Sequence, residues 1–221
     1  MLRESETAFL VTIDPPLVGG DLSVVLARLR ANWPPGRLVE LLTSPLASVV
    51  KTAATCLGLT GTMEHCGPLV SLLGHADEEV AAAAEDALWS IWMRAGSENA
   101  NRQLKAAVER MRKGRIEAAL DLLHDLTAAE NPSAEAHHQQ AIALHSLERY
   151  EEAEAAYQEA LALNPYHFAA VAGLGHICGQ RRDLTGALRY YRRALRIHPR
   201  LKEIREVVPQ LEAAIQKRVV A

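Results

Sequence analysis

Residues 153–165 read AEAAYQEALALNP, and this stretch decides the fold. Its small side chains, such as Ala153 and Ala160, allow two helix backbones to approach to about 8 Å. The ring of Tyr157 fills the gap to a neighbouring hairpin. The helix ends at Asn164-Pro165, because proline fits the first turn of a helix but not its interior. The stretch therefore predicts one helix of a closely packed hairpin.

The same pattern recurs every 34 residues in the C-terminal half of the chain. Four sets of residues align at this spacing: Ala107, Ala141 and Gly175; Ala119, Ala153 and Ala187; Leu123, Tyr157 and Tyr191; Leu126, Ala160 and Ala194. The units close with Asn131-Pro132, Asn164-Pro165 and His198-Pro199. Thirty-four residues hold two helices of about four turns and two tight turns. The period predicts three helix hairpins, at about 100–133, 134–167 and 168–201.

These residues resemble the tetratricopeptide repeat family over about residues 98–200. The second and third repeats carry the resemblance best, whereas the first has Leu123 where the family has an aromatic residue and Leu126 where it has a small one. The amphipathic pattern of residues 201–217 predicts a capping helix, with a kink or a break at Pro209. Residues 97–221 thus form one predicted region, whose first helix is capped by Ser97 or Asn99.

The N-terminal half has a second period of 31 residues. It aligns Val49 with Val80, Ala53 with Ala84, Cys56 with Ala87, and Leu57 with Leu88. This pattern resembles short bacterial HEAT-like repeats over residues 36–96. Residues 1–35 are predicted to be irregular or a degenerate first repeat, because Pro15-Pro16, Gly19-Gly20 and Pro34-Pro35 interrupt the pattern. The segment 9–13 is left open as helical or extended.

The predicted fold class is all-α. It is an α-solenoid, a superhelix of antiparallel helix hairpins, in which a HEAT-like array continues into three tetratricopeptide repeats and a capping helix. Trp89 and Trp92 stand three residues apart near the end of the HEAT-like region. Both are expected to face the first tetratricopeptide hairpin, so that the two arrays share a core.

Composition narrows the function class. The net charge of −3 gives no general attraction to nucleic acid or anionic lipid. No apolar stretch approaches the roughly 20 residues of a spanning helix, and the first residues do not resemble a secretory signal. The three cysteines, an odd number at unrelated spacings, suggest reduced thiols. We therefore expect a cytoplasmic protein with no membrane partner.

No catalytic, cofactor-binding or metal-binding residue is predicted, and the chain is not expected to be an enzyme. The glycines of residues 173–179 imitate a dinucleotide-binding loop, but no strand precedes them and the repeat explains Gly175 as a packing residue. His65, Cys66 and His75 lack the spacing and the fourth ligand of a zinc site.

The family resemblance implies that the first helices of successive hairpins line a concave surface that binds a partner protein. The predicted function is therefore an adaptor or scaffold that binds a peptide or helix there. The predicted partner-binding residues are Leu104, Val108, Met111, Arg112, His138, Ile142, His145, Ala172, His176 and Gln180. Three of these are histidines, which predicts that binding depends on pH between roughly 5.5 and 7.5.

Two alternatives remain open. The first is a nucleic-acid-associated protein that uses basic helix faces, above all the Arg189–Arg200 region. Part of this charge is expected to pair with acidic residues of the neighbouring repeat, such as Glu151 and Glu154, which makes nucleic acid the less favoured partner. The second and weaker alternative is a HEAT-type accessory resembling a chromophore lyase.

Overall fold

The computed structural model describes residues 4–220, and at 218–220 it describes the backbone alone. The described residues form thirteen α-helices, one 3-10 turn at Met63–His65, and no strand. The helices are α1 Glu4–Val18, α2 Leu22–Asn32, α3 Pro35–Leu41, α4 Ala47–Thr60, α5 Cys66–Leu72, α6 Glu78–Trp92, α7 Glu98–Arg112, α8 Ile116–Thr127, α9 Ala134–Ser146, α10 Tyr150–Leu163, α11 Phe168–Gln180, α12 Leu184–Ile197 and α13 Lys202–Val220. This confirms the all-α prediction. The chain divides into two compact units, Met1–Ile91 and Trp92–Ala221.

The first unit contains α1 to α5 and nearly all of α6. All eight residues aligned by the 31-residue period are buried, which agrees with a helical repeat. The backbones of α4 and α6 approach closely, because a Cβ added at Gly58 would lie 3.0 Å from the Cα of Ala87. Cys56 is among the buried residues, and burial raises the pKa of its thiol to about 12. None of the three cysteines forms a disulfide.

The helix α1 resolves what was left open at residues 9–13, which are helical. It also continues through Pro15-Pro16, although these prolines were expected to make the region irregular. Pro16 has no N–H to offer the carbonyl of Thr12 four residues earlier. The guanidinium of Arg28 on α2 donates a hydrogen bond to that carbonyl instead. The contact replaces the helical bond that Pro16 cannot make.

The second unit consists of three helix hairpins, α7–α8, α9–α10 and α11–α12, followed by α13. Each hairpin contacts the next one in the chain, and all twelve residues aligned by the 34-residue period are buried. The N-terminus of α7 is capped by Ser97, as predicted, because its side chain accepts a hydrogen bond from the N–H of Ala100. Ser133 and Asp183 cap α9 and α12 in the same way.

The packing of α11 depends on two glycines. Gly175 lies against Tyr191 of its own hairpin, and Gly173 lies against Tyr157 of the preceding one. A Cβ at Gly175 would lie 2.5 Å from Cε1 of the Tyr191 ring, which is too close for any side chain. The structure therefore agrees with the prediction that Gly175 is a packing residue.

The capping helix α13 covers the last hairpin. Ile204 is buried, and Val207, Val208 and Leu211 pack against the core of the second and third hairpins. Of the predicted kink or break at Pro209, the break is wrong, since α13 runs unbroken from Lys202 to Val220, and the kink stays a prediction. Pro209 lies on the exposed side of α13, where a carbonyl that loses its helical partner can bind water.

Candidate functional site

The first helices of the three hairpins are neighbours, since α9 contacts both α7 and α11. We call the surface formed by these helices the first-helix surface. Three apolar side chains lie there half-buried: Val108 and Met111 on α7, and Ile142 on α9. Half-buried apolar side chains keep part of their area available to a partner. These three residues are therefore the apolar part of the candidate site.

The other predicted partner-binding residues divide into exposed and buried groups. Arg112, His176 and Gln180 are exposed, and His145 is half-buried. Leu104, His138 and Ala172 keep only 2%, 4% and 9% of their surface, and Leu104 packs into the core of the first hairpin pair. The repeat register placed these three correctly on first helices. Their burial leaves them little area with which to contact a partner.

His138 is buried because it belongs to a polar cluster inside the second unit, which we call the Glu135 cluster (Glu135, His138 and His167). The Nδ1 atom of His138 lies 3.2 Å from Oε1 of Glu135, and Nε2 of His167 lies 2.9 Å from Oε2. Gln139 donates a further hydrogen bond of 2.6 Å to Oε1. Both oxygens of the buried carboxylate are thus satisfied, which offsets the large cost of removing it from water.

Charge in the Glu135 cluster follows from burial and from these contacts. Burial alone would raise the pKa of Glu135, but its attraction to His138 and the two histidine hydrogen bonds hold it well below its usual range. Burial and the nearby His138 lower the pKa of His167 to about 4, although Glu135 acts in the opposite direction. His167 is therefore neutral at pH 7 beside an ionised Glu135.

The Glu135 cluster offers three ligand atoms within 4.8 Å of one another, as a metal site would. The environment of His167 argues against a metal ion. Its Nδ1 accepts a hydrogen bond from the N–H of Ala170, so the ring proton lies on Nε2, the atom that would have to bind the metal. Metal-binding histidines normally donate a proton from their second nitrogen. We therefore interpret the cluster as a hydrogen-bonded network.

Trp92 covers one side of this network. Its ring stacks on His167 with centroids 4.4 Å apart and lies 5.4 Å from the ring of Phe168. Trp92 is 1% exposed. The sequence placed it against the first tetratricopeptide hairpin, but these ring contacts lie at the start of α11, in the third. The reason is that His167 and Phe168 offer flat partners for the indole.

The exposed His176 and the half-buried His145 are polar residues of the first helices. The Oη of Tyr191 lies 2.7 Å from Nδ1 of His176, and the ring of His145 lies 5.4 Å from that of Tyr150. Burial and the nearby His145 lower the pKa of His176. The charge change of His176 is therefore centred at a lower pH than that of an unperturbed histidine.

The basic residues of the third hairpin are partly paired. Arg181 forms ion pairs with Glu151 and Glu154 of the preceding hairpin, but it lies outside the Arg189–Arg200 region for which this pairing was predicted. Arg192 pairs with Glu212 on α13 at 2.8 Å. All of these side chains are partly or largely exposed, so each pair stabilises the fold by only about 0.2–1 kcal/mol. Arg193 and Arg196 form no ion pair within the described part of the chain.

Sequence reasoning missed the roles of Glu135 and His167. The repeat pattern places Glu135 on a first helix without indicating a role for it, and it indicates none for His167. One local signal was available, because His167 stands just before α11 at the N-cap position, three residues ahead of Ala170. Nothing local indicated that its second nitrogen reaches Glu135, which lies 32 residues earlier.

Among the described residues, no helix is both long and apolar enough to cross a membrane.

Comparison with known proteins identifies one of the three hairpins as a known repeat. The sequence model of the tetratricopeptide repeat matches residues 134–167, the second predicted repeat. No curated protein matches the chain. Among solved structures, the first tetratricopeptide domain of Spaghetti (RPAP3), bound to the HSP90 peptide SRMEEVD, is similar with a TM-score of 0.52 and 21% identity. That match covers 55% of this chain and 96% of the other.

A second solved structure spans more of the chain. TTC0263, a tetratricopeptide protein of Thermus thermophilus, is similar with a TM-score of 0.41 and 19% identity, over 94% of this chain and 99% of that one. The family match and the 34-residue spacing of buried small and aromatic residues agree on the hairpin at residues 134–167. Residues 134–167, which form the hairpin α9–α10, are therefore a tetratricopeptide repeat.

Proposed function

We propose that the protein is a non-enzymatic adaptor or scaffold that binds a peptide or helix of a partner protein on its first-helix surface. One observation carries the proposal. Val108, Met111 and Ile142 lie half-buried on adjacent first helices, and the exposed His176 lies on the third of these helices, so apolar area and a hydrogen-bonding group are presented by one set of helices. Protein recognition commonly uses this combination of apolar anchors and nearby polar groups.

The fold supports this reading. Arrays of helix hairpins present extended surfaces of first helices, and many of them bind proteins there. The similar Spaghetti domain is bound to a peptide in its own structure. Met111 adds adaptability, because its unbranched thioether side chain can adjust to a partner side chain. We propose that the protein works in the cytoplasm and that residues 36–96 act as a HEAT-like support.

We propose that the partner segment is bound through its own side chains and not through a terminal carboxylate. Some members of the family grip a C-terminal carboxylate with lysine, asparagine and arginine residues. At those places this chain has Leu104, Val108, Gln139, Ala169 and Gly173. None of these side chains carries positive charge, so a free carboxylate would gain no ion pair from them. An apolar anchor of an amphipathic helix or an extended segment suits the surface better.

The test is a comparison of two pairs of variants in binding to a partner captured from the native organism. Val108→Glu and Ile142→Glu each bring a carboxylate into the proposed interface. We expect each to weaken binding by about ten-fold or more. A ten-fold change in affinity corresponds to about 1.4 kcal/mol, and burying an unpaired carboxylate costs at least that.

The control pair is Arg192→Glu and Arg193→Glu on α12, outside the first-helix surface. These changes should leave partner binding nearly unchanged. If they abolish binding while the Val108 and Ile142 changes do nothing, the proposed surface is wrong and the basic face of α12 is the binding site. Salt provides a second criterion, because phosphate binding falls steeply with ionic strength and apolar binding changes little.

A further inference from the structure

His167 uses both ring nitrogens inside the second unit. Its Nδ1 accepts a hydrogen bond of 3.3 Å from the N–H of Ala170 and thereby caps the N-terminus of α11. Its Nε2 donates a hydrogen bond of 2.9 Å to Oε2 of Glu135 on α9. Both side chains have no exposed surface. One neutral tautomer, with the proton on Nε2, satisfies both contacts.

A second proton on His167 has only one place to go. It must bind Nδ1, which faces the N–H of Ala170. Two N–H groups would then point at each other, and the cap of α11 would be lost. The ring of His167 also supports the stacked indole of Trp92, so a displaced imidazole removes the platform on which Trp92 lies.

The charged and titratable groups around His167 come from several elements. Glu135 on α9 favours the second proton, whereas burial and His138, also on α9, oppose it. The phenol of Tyr157 on α10 faces His138, and the imidazole of His198 after α12 faces Phe168. Burial and His138 outweigh Glu135, so the pKa of His167 is about 4 in the folded protein, compared with 6.5 in an open, solvated state.

We propose that His167 is an acid-sensitive latch, in which protonation of the imidazole opens the first turn of α11 and releases Trp92 from its stack. The latch consists of His167, its acceptor contact with Ala170 and its donor contact with Glu135. The inference goes beyond the proposed adaptor function and does not depend on it. It adds a conformational response to pH that is built into the junction of the second and third repeats.

The experiment is hydrogen exchange of two backbone amides in the full-length protein, followed by nuclear magnetic resonance. Ala170 occupies the third position of α11 and is capped by the titratable His167. Ala136 occupies the same position of α9 and is capped by Ser133 at 3.1 Å. Ser133 does not titrate, so the cap on Ala136 does not itself depend on the protonation of a histidine.

The latch predicts a specific pH dependence of these two amides. After correction for intrinsic exchange, the protection of Ala170 should fall relative to Ala136 by up to about ten-fold per pH unit between pH 6.5 and 4. The Trp92 indole should lose protection over the same range. If Ala170 and Ala136 lose protection in parallel, the acid response is general unfolding and the latch does not exist.

A substitution at His167 gives the second test. His167→Asn keeps a side-chain acceptor for the cap but cannot take up a proton, so the ratio of the two amides should become independent of pH. His124→Asn, on the exposed side of α8, is the matched control and should behave as the wild type. Zinc added at pH 7 should not change the protection of Ala170. If zinc raises this protection in the wild type but not in His167→Asn, the latch is wrong, because Nε2 of His167 then binds a metal ion.

Discussion

Replacing Gly175 by alanine tests whether the tetratricopeptide frame is packed as described. In an open helix this change stabilises by up to about 1 kcal/mol, because alanine has the higher helix propensity. Here the new methyl group would lie 2.5 Å from Cε1 and 2.6 Å from Cδ1 of Tyr191, a ring that is itself 6% exposed. Forcing an extra carbon into such packing typically costs about 1–3 kcal/mol. We therefore expect Gly175→Ala to be destabilising despite its better helix propensity.

The same helix provides the control. Gly179 also lies in α11, and a Cβ there would meet nothing within 4 Å. Gly179→Ala should be neutral or stabilising, so the two variants should differ by about 1–3 kcal/mol in the free energy of unfolding. Urea denaturation followed by far-ultraviolet circular dichroism measures this difference. Equal stabilities, or stabilisation by both changes, would refute the close packing of Gly175 on Tyr191.

Two further predictions concern the buried polar network and its cover. Trp92→Ala should destabilise the protein by about 3–5 kcal/mol, because the indole is 1% exposed and stacks on His167; a loss below about 1 kcal/mol in urea denaturation would contradict this burial. The folded pKa of His167, about 4, lies below its unfolded value of 6.5, so the folded state binds fewer protons than the unfolded state between these values. Stability should therefore be greatest above pH 6.5 and fall as the pH drops towards 4, by about 3 kcal/mol at 1.36 kcal/mol per pKa unit. In urea titrations, His167→Asn should remove most of this dependence of stability on pH. An unchanged dependence would show that other groups cause it.

The helices and the hairpin frame could be predicted because their signals are local. Small residues, one aromatic ring and an Asn-Pro stop recur at fixed spacing, and each acts within one helix or on the next one. The continuation of α1 through Pro15-Pro16 could not be predicted in the same way. It depends on Arg28, which reaches the carbonyl of Thr12 from the following helix. No pattern within α1 contains that information.

The candidate site was predictable as a set of positions but not as a surface. The repeat register places His138 and Ile142 on the same first helix, and the structure agrees. Whether each remains accessible depends on contacts distant in sequence. His138 is enclosed because its ring lies 4.3 Å from that of His167, and because it shares the carboxylate of Glu135. Ile142, one turn further along α9, stays half-buried.

The central claim, that a partner protein docks on the first-helix surface, is tested most directly by site-specific photo-crosslinking. A photoreactive residue at Ile142 on α9 should crosslink to one defined segment of the partner. The control is the same residue at Leu163 on α10, a position that is 47% exposed and lies on a second helix of the repeat. We predict crosslinks at position 142 and none at position 163. Crosslinking at 163 with none at 142 would contradict the account and move the binding site to another face of the array.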